Sequence, residues 1–500
     1  MTYTTALRSA VCLAALTAAG AAQADVTAAQ VWEDWKSQLA LYGEDNITIG
    51  AEETSSGTVT VRDLQVDLRD DDVTIKANMG SIIFNEQSDG SVRVTMDESY
   101  PITIIGEDGV VVTLEVSQTD MEMIVSGDAE VMDYAITAKS YGITLQDITD
   151  ADVKVTADAR LTANNLDLAY QTSVGELRNI SYDGTVNSID LLVDFQIPGG
   201  NGEYITGAAK YGPMSMQLEM AIPLDADFEN PDYLMNDGFS LAGGYTIDSV
   251  DFVADMNVEG QQIAMSGEIG QTTLTGQMNS TAVGYDAQTS DLTANVQTSE
   301  FPFPIEVKLG SYGIGFQFPT GKSEEPSDFS MSFELVDLAI SDAIWDLFDG
   351  GNVLPRDPAT IQLALVGKAK SLFNMFDPAE QEAMENAEMP YELSAVTLEK
   401  LNIEAAGASV KGTGDFTFDN SDMQTFAPMP RPEGEATVQI NGLNKLIDNL
   451  VAMGLVQEQD IMGPRMMMGM FARSTGDDQM ETTVEISPNG QVSVNGNRVR

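Results

Sequence analysis

Histidine is absent from this 500-residue sequence, and its single cysteine, Cys12, lies in the first 24 residues. Those two absences remove whole mechanisms. Ser-His-Asp and Cys-His nucleophilic catalysis cannot be built. Zinc, copper and haem lose their usual nitrogen and sulfur ligands, while oxygen-ligated Ca²⁺ or Mg²⁺ stays open. No Ser-x-x-Lys occurs, so that nucleophile motif is missing as well. Basic residues are scarce, with 24 Lys+Arg against 78 Asp+Glu and a net charge of −54. A field of that sign repels nucleic acid and disfavours lying flat on an anionic lipid surface. Long apolar runs are lacking too, which predicts no transmembrane helix. Aromatics make up 7 %, too few for the girdles of a transmembrane β-barrel.

What is present begins with an address. Arg8 supplies a positive start, Val11 to Ala22 are apolar or small, and Ala22-Gln23-Ala24 reads as a cleavage site. Residues 1–24 are therefore expected to be a cleavable signal peptide. Export to the periplasm follows, with an extracellular destination as the alternative. Cleavage removes Cys12, so the exported chain is held by its core without disulfides.

Residues 25–45 carry an amphipathic helix over 27–42, where Val31, Trp35, Leu39 and Tyr42 recur at helical spacing and Trp32 stands alongside. Its tryptophans suggest a cap over the end of a sheet. Gly43 is a natural stop. Residues 46–325 then alternate with period two: Val59, Val61, then Leu64, Val66, Leu68; Val92, Val94, Met96; Val110, Val112, Leu114, Val116; Val153, Val155; Leu161, Leu166, Leu168. Threonine and serine between them fit a half-exposed antiparallel sheet. Asp89-Gly90, Asp108-Gly109, Asp183-Gly184, Asn201-Gly202 and Asp237-Gly238 mark turns, so neighbouring strands are expected to form hairpins.

The polar stretch Lys322 to Asp328 is the best boundary or long loop, and residues 326–500 read as a carboxyl-terminal α+β region completing the sheet. Helices are predicted over 341–349 with Ser341 as N-cap, over 378–388 with Asp377 as cap and Pro378 at the first position, and over 442–456. Residues 458–473 form a Met-rich helix or a pair of turns broken by Pro464, and the end is a hairpin across Pro488-Asn489-Gly490. The fold class is thus mainly β, a β-rich α+β protein: a large twisted or superrolled antiparallel sheet with an amino-terminal capping helix.

Candidate chemistry is sparse. Gly310 to Gly315 and Gly412-Thr-Gly414 lack the context of a phosphate loop and read as bends within strands. Asp70-Asp71-Asp72, Asp147 to Asp152 and Asp225 to Asp232 are acidic loops, of which the last resembles but does not complete an EF-hand. Solvated turns are their default reading, with Ca²⁺ binding the alternative. Met462, Met466, Met467, Met468 and Met470 suit either a packed core helix or an adaptable lipid- or partner-binding surface. Trp345, Leu354, Pro355, Arg356, Asp357 and Pro358 form the most specific local motif, read as a structural junction in which Arg356 pairs with acids.

Several segments carry a resemblance: VWEDWKSQLALYG, WDLFDGGNVLPRDPAT (345–360), GTGDFTFD (412–419), PMPRP (428–432), NGLNKLIDNLVAMGLV (441–456) and the terminal SPNGQVSVNG. Together they resemble the domain-of-unknown-function 2125 family of exported alphaproteobacterial proteins. That family has no established activity, so it implies no catalytic, cofactor or metal residue. The carboxyl-terminal layout is also distantly similar to AsmA-like envelope proteins, which implies extended sheets with an apolar groove used on envelope lipids. With residues 1–24 read as a cleavable leader, this chain is expected to depart from them in lacking an amino-terminal membrane anchor. The expectation is a non-enzymatic envelope protein that binds lipid or another apolar ligand in a sheet groove, without a cofactor, with a lipid or an envelope protein as partner. The alternatives are a structural or Ca²⁺-modulated interaction module and a carboxylate-based hydrolase.

Overall fold

A computed structural model describes residues 25–40, 43, 46–69, 73–106, 109–150, 153–154, 156–196, 202–224, 238–387 and 389–500. The expected signal peptide, Asp70 to Asp72 and Asp225 to Asp232 lie outside the described residues, as do Tyr42, Asp108, Asp152, Val155, Asn201 and Asp237.

All 29 strands among the described residues join one sheet, and each described pairing is antiparallel. The mainly β expectation holds. The connectivity is less simple than a run of hairpins. Strand Thr58–Arg69 pairs through its first half with Ser81–Glu86 and through its second with Val73–Asn78. Two tracks run side by side from there. One passes through Val92–Met96 and Glu122–Gly127, the other through Ser99–Gly106 and Val111–Thr119. They rejoin in the 20-residue strand Val131–Asp150. Strands Ala157–Val174 and Leu177–Gln196 span both tracks, which divide again and rejoin in Ala282–Thr298. Ile305–Pro319 and Ser327–Ile340 pair directly across the loop 320–326, so the sheet is continuous there. Beyond Ser327–Ile340 the first track alone continues, through Ala359–Ser371 to Gln479–Ile486.

A seam separates the tracks. Along it the ladders skip one position: Gly50 and Asp63, Lys139 and Asn165, Asn165 and Asn187, and Asp291 and Gly310 lie between paired neighbours without being paired themselves. Asp63, Asn165, Asp291 and Asp337 take positive φ of 50–56° inside strands, a conformation that Asp and Asn tolerate better than other side chains. These skipped positions fall on one line across the paired strands. Pairing register is therefore kept while the side-chain alternation shifts by one residue. That is why Val61 is followed by Leu64, and Leu161 by Leu166: both members of each pair stay on the apolar face. Val61 and Leu64 are both fully buried in one cluster.

Five helices complete the described residues: α1 (Ala28–Leu39), α2 (Asp342–Trp345), α3 (Pro378–Glu385), α4 (Leu443–Ala452) and α5 (Glu458–Phe471). Thr27 and Gln30 close a capping box at the start of α1. This helix lies on the apolar face at the first-strand end of the sheet and covers that end, as its tryptophans suggested. Val31 and Trp32 are buried against Val59, Ile82, Phe84 and Val94, and Trp35 meets Phe84 edge-on at 5.2 Å. Each large side chain so buried contributes about 1.5–3 kcal/mol.

Other expectations need correction. Asp183-Gly184 is no turn; it runs inside Leu177–Gln196. α2 is a single turn, and Ser341 stands at its N-cap without a side-chain hydrogen bond. α5 is not broken at Pro464; the helix continues through it, at an exposed stretch where water can satisfy the carbonyl that proline leaves unpaired. Asp377 does cap α3, its carboxylate accepting from the Ala379 amide at 2.9 Å. The terminal hairpin pairs Val484 with Val494 and Ile486 with Val492.

Candidate functional site

One face of the sheet is apolar along its length because the alternation holds over most of each track and is reset at the seam and at bulges such as those at Thr113/Leu114 and Ala364/Leu365. Under α1 this face is covered. Past Met214–Pro223 it is not. Successive strands present the row Leu218, Gly243, Gly276, Tyr285, Phe316, Met331, Leu365 and Leu398, each paired with the next. Flanking rows are equally apolar, as in Met216, Tyr245, Leu274, Ala287 and Ile314. Gly243 and Gly276 pair with each other between Leu218 and Tyr285, which leaves a depression of about 530 Å³ walled by Met216, Leu218, Leu241, Tyr245, Leu274 and Phe316. A Cβ on Gly243 would come within 2.4 Å of the Gln217 carbonyl oxygen, so the close strand approach there requires glycine. Gly276 has no such neighbour; the nearest atom to its Cβ would be 3.8 Å away.

A second depression of about 290 Å³ adjoins the carboxyl end of α1, against Trp35, Leu39, Met123, Ile136, Tyr170 and Tyr182. Tyr182 pairs with Leu218, so the two hollows meet along one strand pair. The trough is thus closed at one end by α1 and open beyond it. Larger hollows, about 810 Å³ each, lie on the opposite face. Asp190, Lys210, Asp251 and Glu268 line one of them, and Asp183, Gln217, Asp286 and Ser332 the other. The charged side chains in their linings set them apart from the trough hollow, which is walled by apolar side chains as a small-molecule pocket is.

The closed end of the trough is held by a buried polar network. Arg178 Nη1 donates to Asp34 Oδ1 at 2.7 Å and to Thr172 Oγ1 at 3.2 Å, and Nη2 donates to Ser37 Oγ at 2.6 Å. Asp34 Oδ2 also accepts from Tyr134 at 3.1 Å and from Gln38 at 2.7 Å. Tyr170 donates to Gln38 Oε1 at 2.8 Å. Burial, with the Asp34 carboxylate beside it, holds the Tyr134 phenol well above its usual range. Burial does the same for Tyr170. Both stay neutral donors at any ordinary pH. Sequence reasoning missed this network: Arg178 stands in an ordinary strand, and only its rarity among 24 basic residues could have drawn notice.

The motif singled out from sequence lies elsewhere, where the second track stops. Trp345 ends α2 and its ring lies 5.1 Å from Phe348. Arg356 bridges α2 from outside, donating to Asp342 at 2.7 Å and Asp346 at 2.6 Å. Leu354 is buried, Pro355 lies against Gly407, and Asp357 and Pro358 are exposed just before strand Ala359–Ser371. Asp349, outside the predicted set, organises the turn. It is 2 % exposed, and its carboxylate accepts from the amides of Val353 (2.8 Å) and Leu354 (2.9 Å). The Val353 amide first, then that of Leu354 and the Arg356 charge, hold its pKa below the usual carboxylate range, against the opposing effect of burial. Among the described residues no cluster of Asp and Glu is arranged to hold a metal ion.

A family model for an uncharacterised protein conserved in bacteria, DUF2125, matches residues 241–499, just over half of the chain. The chain belongs to the DUF2125 family. The matched region starts at Leu241, inside strand Ser240–Ile247. It therefore holds most of the open trough, the Arg356 turn and the helices α2 to α5, whereas α1 and the covered part of the sheet precede it. No curated protein matches the chain. No helix among the described residues is long and apolar enough to cross a membrane.

Proposed function

We propose that this DUF2125 protein is an exported, periplasmic, non-enzymatic binder that holds an apolar ligand, an acyl chain of a lipid, in the open part of the trough. The observation that carries the reading is the contrast along one face. The same apolar rows that α1 seals over the first strands run on uncovered through Leu218, Leu274, Tyr285 and Phe316, with a glycine-floored hollow of ligand-binding size. Bare apolar surface of that extent marks a binding site in a soluble protein. The leader at residues 1–24 supports export, and a net charge of −54 supports solubility around an apolar cargo.

Native mass spectrometry of the purified protein, with extraction of bound lipid, tests the proposal. A co-purifying apolar ligand is expected. Gly276→Leu should plug the hollow without disturbing the backbone, since a Cβ there meets nothing closer than 3.8 Å. The variant should keep wild-type thermal stability and lose the ligand. Wild-type protein free of any apolar ligand that also fails to take up a fluorescent fatty acid would refute the assignment.

A further inference from the structure

We infer that α5 is a docking surface for a phospholipid bilayer. An ordinary surface helix turns its apolar stripe inward and its polar face to water. α5 does the reverse. Met462, Met466, Met467 and Met470 fall on one side of the helix at spacings of three and four, and they are 66, 66, 59 and 68 % exposed. Ile461, Arg465 and Met468, half-buried, face the protein instead, where Arg465 donates to the Asp448 carboxylate and the Asn444 carbonyl oxygen of α4. No residue of α5 is fully buried. A 14-residue helix that contains Pro464 and packs so little is poorly stable in water alone, so a surface that takes up its methionines would stabilise it.

Charge decides what that surface is. The chain carries 78 acids, and α5 holds two of them, Glu458 and Asp460, in its first turn; beyond that turn residues 461–476 contain none and include Arg465 and Arg473. Each arginine neutralises a carboxylate of a neighbouring element, Asp448 and Glu481 respectively. Around the methionines the strong negative field is locally relieved, which permits approach to lipid headgroups that the rest of the molecule would oppose. A second copy is disfavoured because two chains at −54 repel. Unbranched methionine side chains adapt to the fluid boundary between headgroup and acyl chain. Exposed apolar side chains also stand on the segments that adjoin α4: Leu347, Phe348 and Val353 of the Arg356 turn and Leu455 after α4 are 41–60 % exposed. Asn449 of α4 donates to the Val353 carbonyl oxygen at 3.2 Å, tying that turn to the same end of the sheet.

Vesicle flotation of the purified protein tests this independently of the trough. With zwitterionic phosphatidylcholine–phosphatidylethanolamine vesicles the wild-type chain should rise with the lipid. Met466→Asp/Met470→Asp should lower the bound fraction at least about tenfold, because two apolar anchors become charges. Met466→Leu/Met470→Leu should float like wild type. Val253→Asp, on the polar face, and Gly276→Leu, in the trough, should also float, so a trough that binds nothing leaves this outcome unchanged. Circular dichroism confirms that each variant is folded. The inference is overturned if wild-type protein stays at the bottom of the gradient, if the Asp variant floats unchanged, or if light scattering finds a dimer that the Asp variant dissolves while vesicles capture nothing.

Discussion

Replacing Arg178 with methionine withdraws the guanidinium that fastens α1 to the sheet. Both partners of the ion pair are buried, with side-chain exposures of 9 % for Arg178 and 7 % for Asp34. Taking away one member of such a pair costs about 3–5 kcal/mol, because the remaining charge is left in a poorly solvating site. Here Asp34 keeps its bonds from Tyr134 and Gln38, which places the loss near the lower end, about 3 kcal/mol. The cost falls on α1 docking, and a built-in reporter follows it. Of three tryptophans, Trp32 and Trp35 are on this helix, and Trp32 is 1 % exposed. Urea unfolding read by tryptophan emission should show an earlier red shift in Arg178→Met than in wild type. The double variant Arg178→Met/Asp34→Leu should recover much of the loss, since replacing both charges removes the orphaned carboxylate. A single variant within about 1 kcal/mol of wild type, or a double variant no better than the single, would show that the pair is not what anchors the helix.

Three further outcomes follow from other sites. At Asn165, φ is 52°, so Asn165→Gly should be neutral while Asn165→Val should cost about 1–3 kcal/mol in urea unfolding, and equal midpoints would mean the seam is unstrained. Asp349 has a lowered folded pKa, so its contribution is complete above the unfolded carboxylate value of about 4 and is lost as pH falls through the lower folded value. Hydrogen-exchange protection of the Val353 and Leu354 amides should therefore hold from neutral pH to about pH 5 and fail in stronger acid, with Asp349→Asn removing that dependence. Arg356→Lys keeps the charge but loses the fork that reaches Asp342 and Asp346 together. With those carboxylates largely exposed, global stability should hardly change while protease cleavage within 346–353 accelerates; an unchanged cleavage rate would count against the bridging role.

Much of the architecture is determined by local pattern alone. Period-two alternation specifies half-buried strands, and Thr27 with Gln30 specifies the start of α1, because both depend on neighbours a few residues away. Even the seam leaves a trace, since the apolar phase slips between Val61 and Leu64 and between Leu161 and Leu166. The absence of histidine and of cysteine beyond Cys12 restricts the chemistry before any fold is considered. Tertiary structure decided what pairing over distance controls. Alternation cannot say which strands are neighbours, so the two tracks and their shared seam follow only from register. Arg178 and Asp34 are 144 residues apart, and nothing local to either foretells their meeting. Gly276 reads in sequence as an ordinary strand glycine and becomes the floor of a hollow only because Gly243 and Tyr285 flank it. The methionines of α5 likewise fit a buried or an exposed stripe equally well by spacing. Their outward direction was set by α4, which takes the opposite face of the helix through Arg465.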